Sequence, residues 1–200
     1  KMVLRKLVEE SKDKLKLFKR ASEQPGFIDE LVESMSELKR YCTDPQKIIE
    51  KIGGNTSSLL DAKLNDLIFL HRAIENFLAQ GYLDSDDHLL LLAERIERSK
   101  FLPKVKMWMD GYTGFTPQEY LVLEKLLGTV KDLKITFCLD REGALGVIDD
   151  SHPFFPIRYS MDKLHELADA QNLEIKPPVF LEEEPYRFRE SHVLQHLEKN

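Results

Sequence analysis

Apolar residues recur every three or four positions along most of the first hundred residues, which is the spacing of one buried helical face. The clearest stripe consists of Phe27, Leu31, Val32, Met35 and Leu38. The same pattern predicts helices over residues 2–10, 27–42, 45–52, 58–80 and 85–96. Glycines at Gly53-Gly54 and Gly81 are placed to end two of them. We therefore expect the first hundred residues to be almost entirely helical.

The period changes after Pro103, where short apolar runs bounded by turn residues replace the helical spacing. Runs of about four to eight such residues are typical of buried strands. They predict strands over residues 105–109, 133–139 and 173–181, helices over 116–127 and from about 160 to 171, and a long loop over 141–158. Pro177-Pro178 places part of the third strand at a sheet edge. The β-α-β-α-β order predicts a parallel sheet with right-handed crossovers.

The two patterns together predict an α/β protein in two parts. Residues 1–102 are expected to form a helical subdomain. Residues 103–200 are expected to form part of a parallel-sheet α/β domain, followed by a short helical segment around Val193 and Leu197. The chain opens within a helical pattern and closes without a terminating residue, so we expect a piece of a longer protein.

The stretch from Val105 to Glu119 contains the residues that most resemble a ligand-binding site. Its apolar run ends at Asp110, and a glycine-containing turn then leads to a helix start in which Thr116, Pro117 and Glu119 form a capping box with proline in the first turn. Ligands of open α/β sheets bind outside the carboxyl ends of the strands. Asp110 is therefore expected at the mouth of the sheet, unless it only satisfies turn amides. Asp140 follows the next predicted strand in the same way.

The amino-acid composition limits the classes of protein to which the chain can belong. A hydrophobic fraction of 42%, a charged fraction of 32% and a net charge of −6 describe an ordinary soluble chain without an overall basic footprint. The first twenty residues are locally basic, with eight Lys or Arg against three acidic residues. Cys42 and Cys138 belong to no Cys-x-x-Cys spacing, and no apolar run approaches the roughly 18 residues of a membrane span. We expect a reduced, cytoplasmic protein without membrane association.

Common catalytic motifs are missing from the sequence. There is no Gly-x-x-x-x-Gly-Lys-Ser/Thr phosphate loop, no Gly-x-Gly-x-x-Gly turn and no nucleophile elbow centred on serine. His192 and His196 stand four apart, but a solvated helix face explains them better than a metal site. In P-loop nucleotide hydrolases an apolar strand ending in Asp holds Mg²⁺, and in helicases a catalytic Glu follows it. Here Gly111 follows Asp110, and glycine has no side chain for that task.

The segment Trp108–Glu119 resembles a motif of AddB, also called RexB, which is the B-type subunit of the bacterial ATP-dependent helicase/exodeoxyribonuclease. The resemblance spans nearly the whole chain, including residues 4–10, 37–42, 63–67, 82–89 and 196–199. It implies a fragment of the amino-terminal, P-loop helicase-like region of AddB. It also implies a heterodimer with an AddA-type motor subunit that resects double-strand DNA ends and stops at Chi sequences.

The resemblance assigns roles to the loop residues as well. Asp110 and Gly111 occupy a degenerate Walker B-like position, where helicases keep a metal-binding Asp and a catalytic Glu. Single-stranded DNA is expected to stack on Tyr112, with polar contacts from Thr113, Thr116 and Gln118, whereas Phe115 is expected to pack under the following helix. The family often has Phe at the position of Tyr112, which keeps the stacking face.

No catalytic residue and no metal ligand is expected within this chain. The resemblance places ATP and Mg²⁺ binding, and a [4Fe–4S] cluster, in parts of AddB outside these residues. Two rival interpretations stay open. One is a working nucleotide hydrolase that uses Asp110, and the other is a structural module that docks the motor subunit through helices 26–42 and 58–80 without touching DNA.

Overall fold

The computed structural model describes residues 1–52, 58–82, 84–181 and 190–199, without the side chains of residues 49–52, 58, 142, 195 and 197–199. The α-helices are α1 (Met2–Ser11), α2 (Phe18–Ala21), α3 (Phe27–Arg40), α4 (Pro45–Ile52), α5 (Ser58–Leu78), α6 (His88–Ile96), α7 (Pro117–Thr129), α8 (Arg141–Leu145), α9 (Phe155–Ala170) and α10 (His192–Lys199). Two strands, β1 (Lys106–Met109) and β2 (Asp132–Ile135), flank α7. Within the described ranges, no helix is both long and apolar enough to cross a membrane.

The first hydrophobic core joins α1, α2, α3 and α5. Its buried members are Val8, Leu15, Phe18, Leu31, Met35 and Leu70. A buried carboxylate adds a polar clamp to this core, because Asp66 on α5 accepts hydrogen bonds from the backbone N–H groups of Lys16, Leu17 and Phe18 at 2.8–3.0 Å. The N–H groups of Leu17 and Phe18 are free donors at the start of α2, and a carboxylate satisfies such donors well. Asp66 therefore holds a four-residue helix that is too short to be stable alone.

The second core joins α6 to α7. Ala93 and Ile96 of α6 pack against Val122 and Leu126 of α7, with Met107 of β1 at the edge. The predicted boundary between residues 102 and 103 therefore runs beside a core to which both sides contribute. That boundary stays a prediction.

A lysine connects α3 to the turn before α6. Lys39 Nζ lies 3.1 Å from Asp84 and 3.0 Å from Asp87, and the Lys39 side chain is only 10% exposed. The side chain of Asp86, between these two, accepts a hydrogen bond from Ser36 of α3. Asp84 also caps the short 3₁₀ helix Ser85–Asp87 by accepting from the Asp86 N–H. The turn of residues 84–87 is thus held both by its contacts with α3 and by the hydrogen bond from Asp86 to Asp84 within it.

The two strands pair in parallel, as the sequence predicts. The register aligns Lys106 with Asp132 and Trp108 with Lys134, and α7 forms the crossover between the strands. The strands alternate, however, because Met107, Met109, Leu133 and Ile135 are half-buried whereas Lys106, Trp108 and Lys134 are exposed. The expectation of a strand over residues 105–109 is therefore confirmed, whereas the expectation that it is buried is wrong for the face that carries Lys106 and Trp108.

Three further expectations from the sequence are wrong in the second half. Residues 173–181 form no strand; Pro177 and Pro178 supply no N–H groups for a ladder, and Val179 and Leu181 are exposed. The expected loop over 141–158 contains α8, and α9 starts at Phe155, with Pro156 in its first turn. β2 ends at Ile135, four residues before the predicted end. The predicted helix end at Gly53-Gly54 lies outside the described residues.

Candidate functional site

The candidate site is the loop of residues 110–116 between β1 and α7. Asp110 follows the last residue of β1, and Gly111 has a φ of 81°, a left-handed conformation that residues with a Cβ adopt at a cost. The Asp110 carboxylate accepts a hydrogen bond from the hydroxyl of Thr136. Thr136 follows β2 and also donates its backbone N–H to the Met109 carbonyl at 2.9 Å. The carboxylate is therefore fixed across the sheet by the neighbouring strand.

Asp140 does not join Asp110 at this edge, so the expectation that it ends the neighbouring strand is wrong. It lies five residues after Ile135, the last residue of β2. Its Oδ1 accepts the Gly143 N–H at 2.6 Å, and its carbonyl accepts the Ala144 N–H at 3.0 Å. Asp140 therefore begins α8 as a capping residue.

The described side chains do not form a metal site around Asp110. In the ranges that the structure covers, no three His, Cys, Asp or Glu side chains are grouped closely enough to hold a metal ion. A magnesium site in proteins is usually completed by substrate phosphates and several waters, and Gly111 contributes no side chain beside Asp110. The Thr136 hydroxyl is the side-chain partner that the structure places against the Asp110 carboxylate.

Three aromatic rings form a ladder along the loop. Tyr112 stacks on Phe115 with ring centroids 5.1 Å apart and an interplanar angle of 27°. Phe115 in turn meets Tyr120 of α7 edge to face at 5.6 Å. Phe115 is half-buried, whereas Tyr112 is 42% exposed. Phe115 is thus the packing residue of the pair, and Tyr112 is supported on one side while its remaining surface faces solvent.

The loop rests on α9, which packs beside α7. A Cβ built at Gly114 would lie 3.5 Å from the Ser160 hydroxyl oxygen, an ordinary contact, and Ser160 itself is 2% exposed. The side chain of Gln171, at the end of α9, donates to the Glu124 carbonyl of α7 at 2.9 Å. Thr113, before Gly114, is exposed. Thr113 therefore lies at the open tip of a supported loop.

Thr116 and Gln118 already have structural partners. The Thr116 hydroxyl oxygen accepts the Glu119 N–H, and Glu119 Oε2 accepts the Thr116 N–H at 2.7 Å, which completes the expected capping box. Gln118 is 1% exposed, and its Nε2 donates to the Asp86 carbonyl at 3.0 Å. Of the four residues suggested for DNA contact, Tyr112 and Thr113 are exposed, whereas Thr116 and Gln118 are occupied in the fold.

Sequence reasoning misses several neighbours of the site. Thr136 does not stand out in the sequence, because its contact with Asp110 depends on the register of β1 against β2. Trp108 and Lys134 fall within runs predicted as buried strands, although the alternation of Lys-Met-Trp-Met and Asp-Leu-Lys-Ile shows a polar face. Lys134 Nζ lies 5.2 Å from the centroid of the Trp108 ring. That alternation is the signal that could have found them.

Comparison with known proteins shows the family to which the chain belongs. A model of the family described as "ADDB, N-terminal" matches residues 1–198. The chain belongs to this family. The B-type subunit of the ATP-dependent helicase/deoxyribonuclease of Desulforamulus reducens is 38% identical to it over 203 residues, and that of Pelotomaculum thermopropionicum is 38% identical over 205 residues. Both alignments cover 100% of this chain and 18% of the relative.

A third relative gives the same picture. The corresponding protein of Moorella thermoacetica is 37% identical over 202 residues, covering 98% of this chain and 18% of its own length. The chain thus spans about a fifth of the length of the curated relatives that it matches. The resemblance to AddB drawn from the motif around Asp110 is confirmed, and the chain matches the N-terminal region of the family.

Proposed function

We propose that this chain is a non-catalytic, helicase-like segment of an AddB protein that binds single-stranded DNA in a helicase–nuclease acting on double-strand breaks. Membership of the ADDB, N-terminal family carries the proposal, since the relatives are named as B-type subunits of an ATP-dependent helicase/deoxyribonuclease. The partner would be an AddA-type motor subunit in a heterodimer. Use of ATP and Mg²⁺, and a [4Fe–4S] cluster, would belong to parts of the complex outside this chain.

The non-catalytic role is supported by the residues around Asp110. A helicase needs a carboxylate beside the metal-binding Asp to polarise the attacking water. Gly111 occupies that position and has a φ that a substituted residue adopts only with strain. The Asp110 carboxylate is occupied by the Thr136 hydroxyl. These contacts favour a fixed support for the loop over a hydrolytic centre at this edge of the sheet.

DNA contact is supported by the geometry of the loop tip. Tyr112 has one side against Phe115 and is 42% exposed, so a base can approach its free surface without moving the ring. Such stacking is worth about 1–3 kcal/mol per base and tolerates any sequence. Thr113, the next residue, adds an exposed hydroxyl at the loop tip. Gly111 and Gly114 let a nucleic-acid backbone approach closely.

The decisive experiment uses Tyr112 in the intact two-subunit enzyme. Tyr112→Ala should weaken the pause at Chi, because the lost stacked base removes on the order of 1–3 kcal/mol of stability from the bound state. Unwinding speed should hardly change, since the motor lies in the partner. Production of Chi-terminated fragments and translocation rate are measured on the same preparation.

Tyr112→Phe is the matched control for this experiment. It keeps the aromatic face and the contact with Phe115 while removing only the hydroxyl, so its Chi response should equal that of the unchanged enzyme. A full Chi response in Tyr112→Ala would mean that this ring packs the loop and reads no DNA. An equal loss in both variants would instead assign the effect to the hydroxyl.

The docking alternative predicts an apolar outer surface on α3 or α5. The outer face of α3 is charged, since its exposed positions include Asp29, Glu30, Glu33, Glu37 and Arg40. On α5, Leu59 and Leu60 are 63% and 37% exposed at the start of the helix, whereas exposed positions further along, such as Lys63, Arg72 and Glu75, are polar or charged. A charged face of this kind on α3 suits solvent or a basic partner better than an apolar interface. We therefore favour DNA contact at the loop over a purely structural role.

A further inference from the structure

The aromatic ladder of the loop ends on Tyr120. Phe115 meets the Tyr120 ring edge to face at 5.6 Å, and Tyr112 stacks on Phe115 at 5.1 Å. The Tyr120 hydroxyl is buried, and no described residue forms a hydrogen bond with it. The large majority of buried polar side-chain atoms have a partner, because an unpaired one costs free energy. The foot of the ladder therefore contains a polar group whose partner is not one of the described residues.

A second buried hydroxyl belongs to Ser160 of α9. Ser160 is 2% exposed, and its hydroxyl donates to the Pro156 carbonyl, one turn earlier in the same helix, at 3.0 Å. That bond uses the one hydrogen of the hydroxyl group and leaves the lone pairs of the oxygen able to accept. Ser160 Oγ is thus a buried atom that can accept a further hydrogen bond.

The loop brings Ser160 to the foot of the ladder. Gly114 precedes Phe115, and a Cβ built on Gly114 would lie 3.5 Å from Ser160 Oγ, the one heavy atom within 4 Å of it apart from Gly114 and its chain neighbours. The φ of Gly114 is not in the left-handed region, in contrast to that of Gly111. The backbone at residue 114 would therefore accept a side chain, and its lack of a Cβ leaves room beside Ser160 Oγ.

The same stretch of α9 lies beside Tyr120. Lys163 stands three residues after Ser160, and residues three apart in a helix share a face. The hydrogen bond and charge of Glu166 raise the pKa of Lys163, and Tyr120 adds to this effect through its proximity. Tyr120, Ser160 and the room at Gly114 therefore border one small volume between α7, α9 and the loop.

We propose that this volume binds a buried water molecule, which accepts a hydrogen bond from Tyr120 Oη and donates one to Ser160 Oγ. Folded proteins contain about one such water per 27 residues, held by polar groups that lack another partner. The water fixes the Tyr120 ring on which Phe115 packs, so Tyr120 is a positioning residue for the loop. The inference concerns the support of the loop and holds for any ligand that the loop binds.

The test is a double-mutant cycle followed by urea denaturation. Tyr120→Phe keeps the ring and removes one hydrogen bond to the water, so the equilibrium constant for unfolding should rise roughly 2- to 13-fold. Gly114→Ala places a methyl group where the water binds and leaves the Tyr120 hydroxyl unpaired. In that background, Tyr120→Phe should lower the constant roughly 5- to 150-fold. Tyr159→Phe, at an exposed tyrosine of α9, is the matched control and should change it by less than about 2-fold.

The reversal of sign between the two backgrounds is the result that upholds the water site. If Tyr120→Phe stabilises the otherwise unchanged chain, the hydroxyl has no partner, and if it destabilises both backgrounds equally, a protein group binds it; either result overturns the inference. A high-resolution crystal structure of the chain tests the site directly. We expect one water about 2.5–3.0 Å from both Tyr120 Oη and Ser160 Oγ, whereas Lys163 Nζ or another protein atom at that distance from Oη overturns the proposal.

Discussion

At the scale of single residues, two threonines three positions apart have opposite roles. Thr116 holds the first turn of α7 through its hydroxyl and backbone, both bound to Glu119. Thr113 is exposed at the loop tip. The same side chain is thus a helix cap in one place and an exposed hydroxyl in the other, which makes the pair a natural comparison.

Thr116→Ala should lower the free energy of unfolding by about 1 kcal/mol, because α7 loses the N-cap acceptor and half of its capping box. Thr113→Ala is the matched control and should change stability by less than about 0.5 kcal/mol, as exposed substitutions usually do. Urea denaturation followed by circular dichroism measures both. Equal stabilities for the two variants would show that the cap contributes nothing in this context.

The residue scale also shows what sequence can say about the candidate site. The capping box is predictable because its residues are close in sequence and its chemistry is local. The burial of Gln118 is not, since its partner is the Asp86 carbonyl, 32 residues away. The Asp110–Thr136 contact likewise needs the strand register, which a single sequence does not display. Contacts between residues that are close in sequence can therefore be predicted from the sequence, whereas contacts between residues far apart in sequence cannot.

At the scale of elements, the Lys39 cluster joins α3 to the turn that carries α6. Burial alone would lower the pKa of Lys39, but hydrogen bonds to Asp87 and Asp84 outweigh it and raise the pKa. Burial would raise the pKa of Asp84, and the bond and charge of Lys39 outweigh that effect and lower the pKa below its ordinary value near 3.8. The charged forms of Lys39 and Asp84 therefore stabilise each other in the folded chain.

The sign of the pH dependence follows from these two directions. Asp84 has a lower pKa in the folded than in the unfolded chain, so its contribution is present above about pH 4 and is lost as pH falls through the folded-state pKa. Lys39 has a raised pKa and stays charged over that range. We expect the urea midpoint to fall as the pH is lowered from about 5 to about 3.

Lys39→Ala should flatten that pH dependence and lower stability at neutral pH by about 2 kcal/mol. This is less than the roughly 3–5 kcal/mol typical of fully buried pairs, because the Asp84 and Asp87 side chains keep 32% and 29% exposure. Lys12→Ala removes an exposed pair with Glu23 and should leave the midpoint nearly unchanged. An unaltered acid slope in Lys39→Ala would place the pH effect elsewhere in the molecule.

The elements are predictable to different degrees, for physical reasons. α3 and α5 follow from apolar stripes long enough to repeat several times. The five-residue α8 escapes prediction because one turn cannot display a period, and its capping residue Asp140 follows an apolar run as a strand end would. Residues 173–181 have the apolar content of a strand, but Pro177 and Pro178 cannot donate to a ladder. The secondary structure of long periodic segments can thus be predicted from the sequence, whereas that of short or proline-containing segments cannot.

At the scale of the whole molecule, the second core packs α6 of the helical half against α7 of the sheet half. Gln118 of α7 adds a hydrogen bond to the Asp86 carbonyl from the other half. The loop at Tyr112 is therefore held by both halves. A DNA-binding surface on this loop would be fixed in orientation relative to α6.

The whole chain should hydrolyse no ATP, even with single-stranded DNA present. The reason is the missing phosphate loop within these residues, together with Gly111 in the place of a catalytic carboxylate. Steady-state phosphate release is the measurement, with Asp110→Asn as the paired variant. Turnover above background that disappears in Asp110→Asn would restore the nucleotide-hydrolase interpretation.

The position of Asp66 in the sequence affects when the N-terminal helices can fold during synthesis. Its carboxylate is the acceptor for N–H groups that precede it by 48 to 50 residues. During synthesis at about 5–20 residues per second, the lysine-rich segment of residues 12–20 waits roughly 2–10 s before that acceptor exists. A ribosome-bound chain therefore presents this basic segment without its clamp. The N-terminal helices complete their packing only after α5 has been translated.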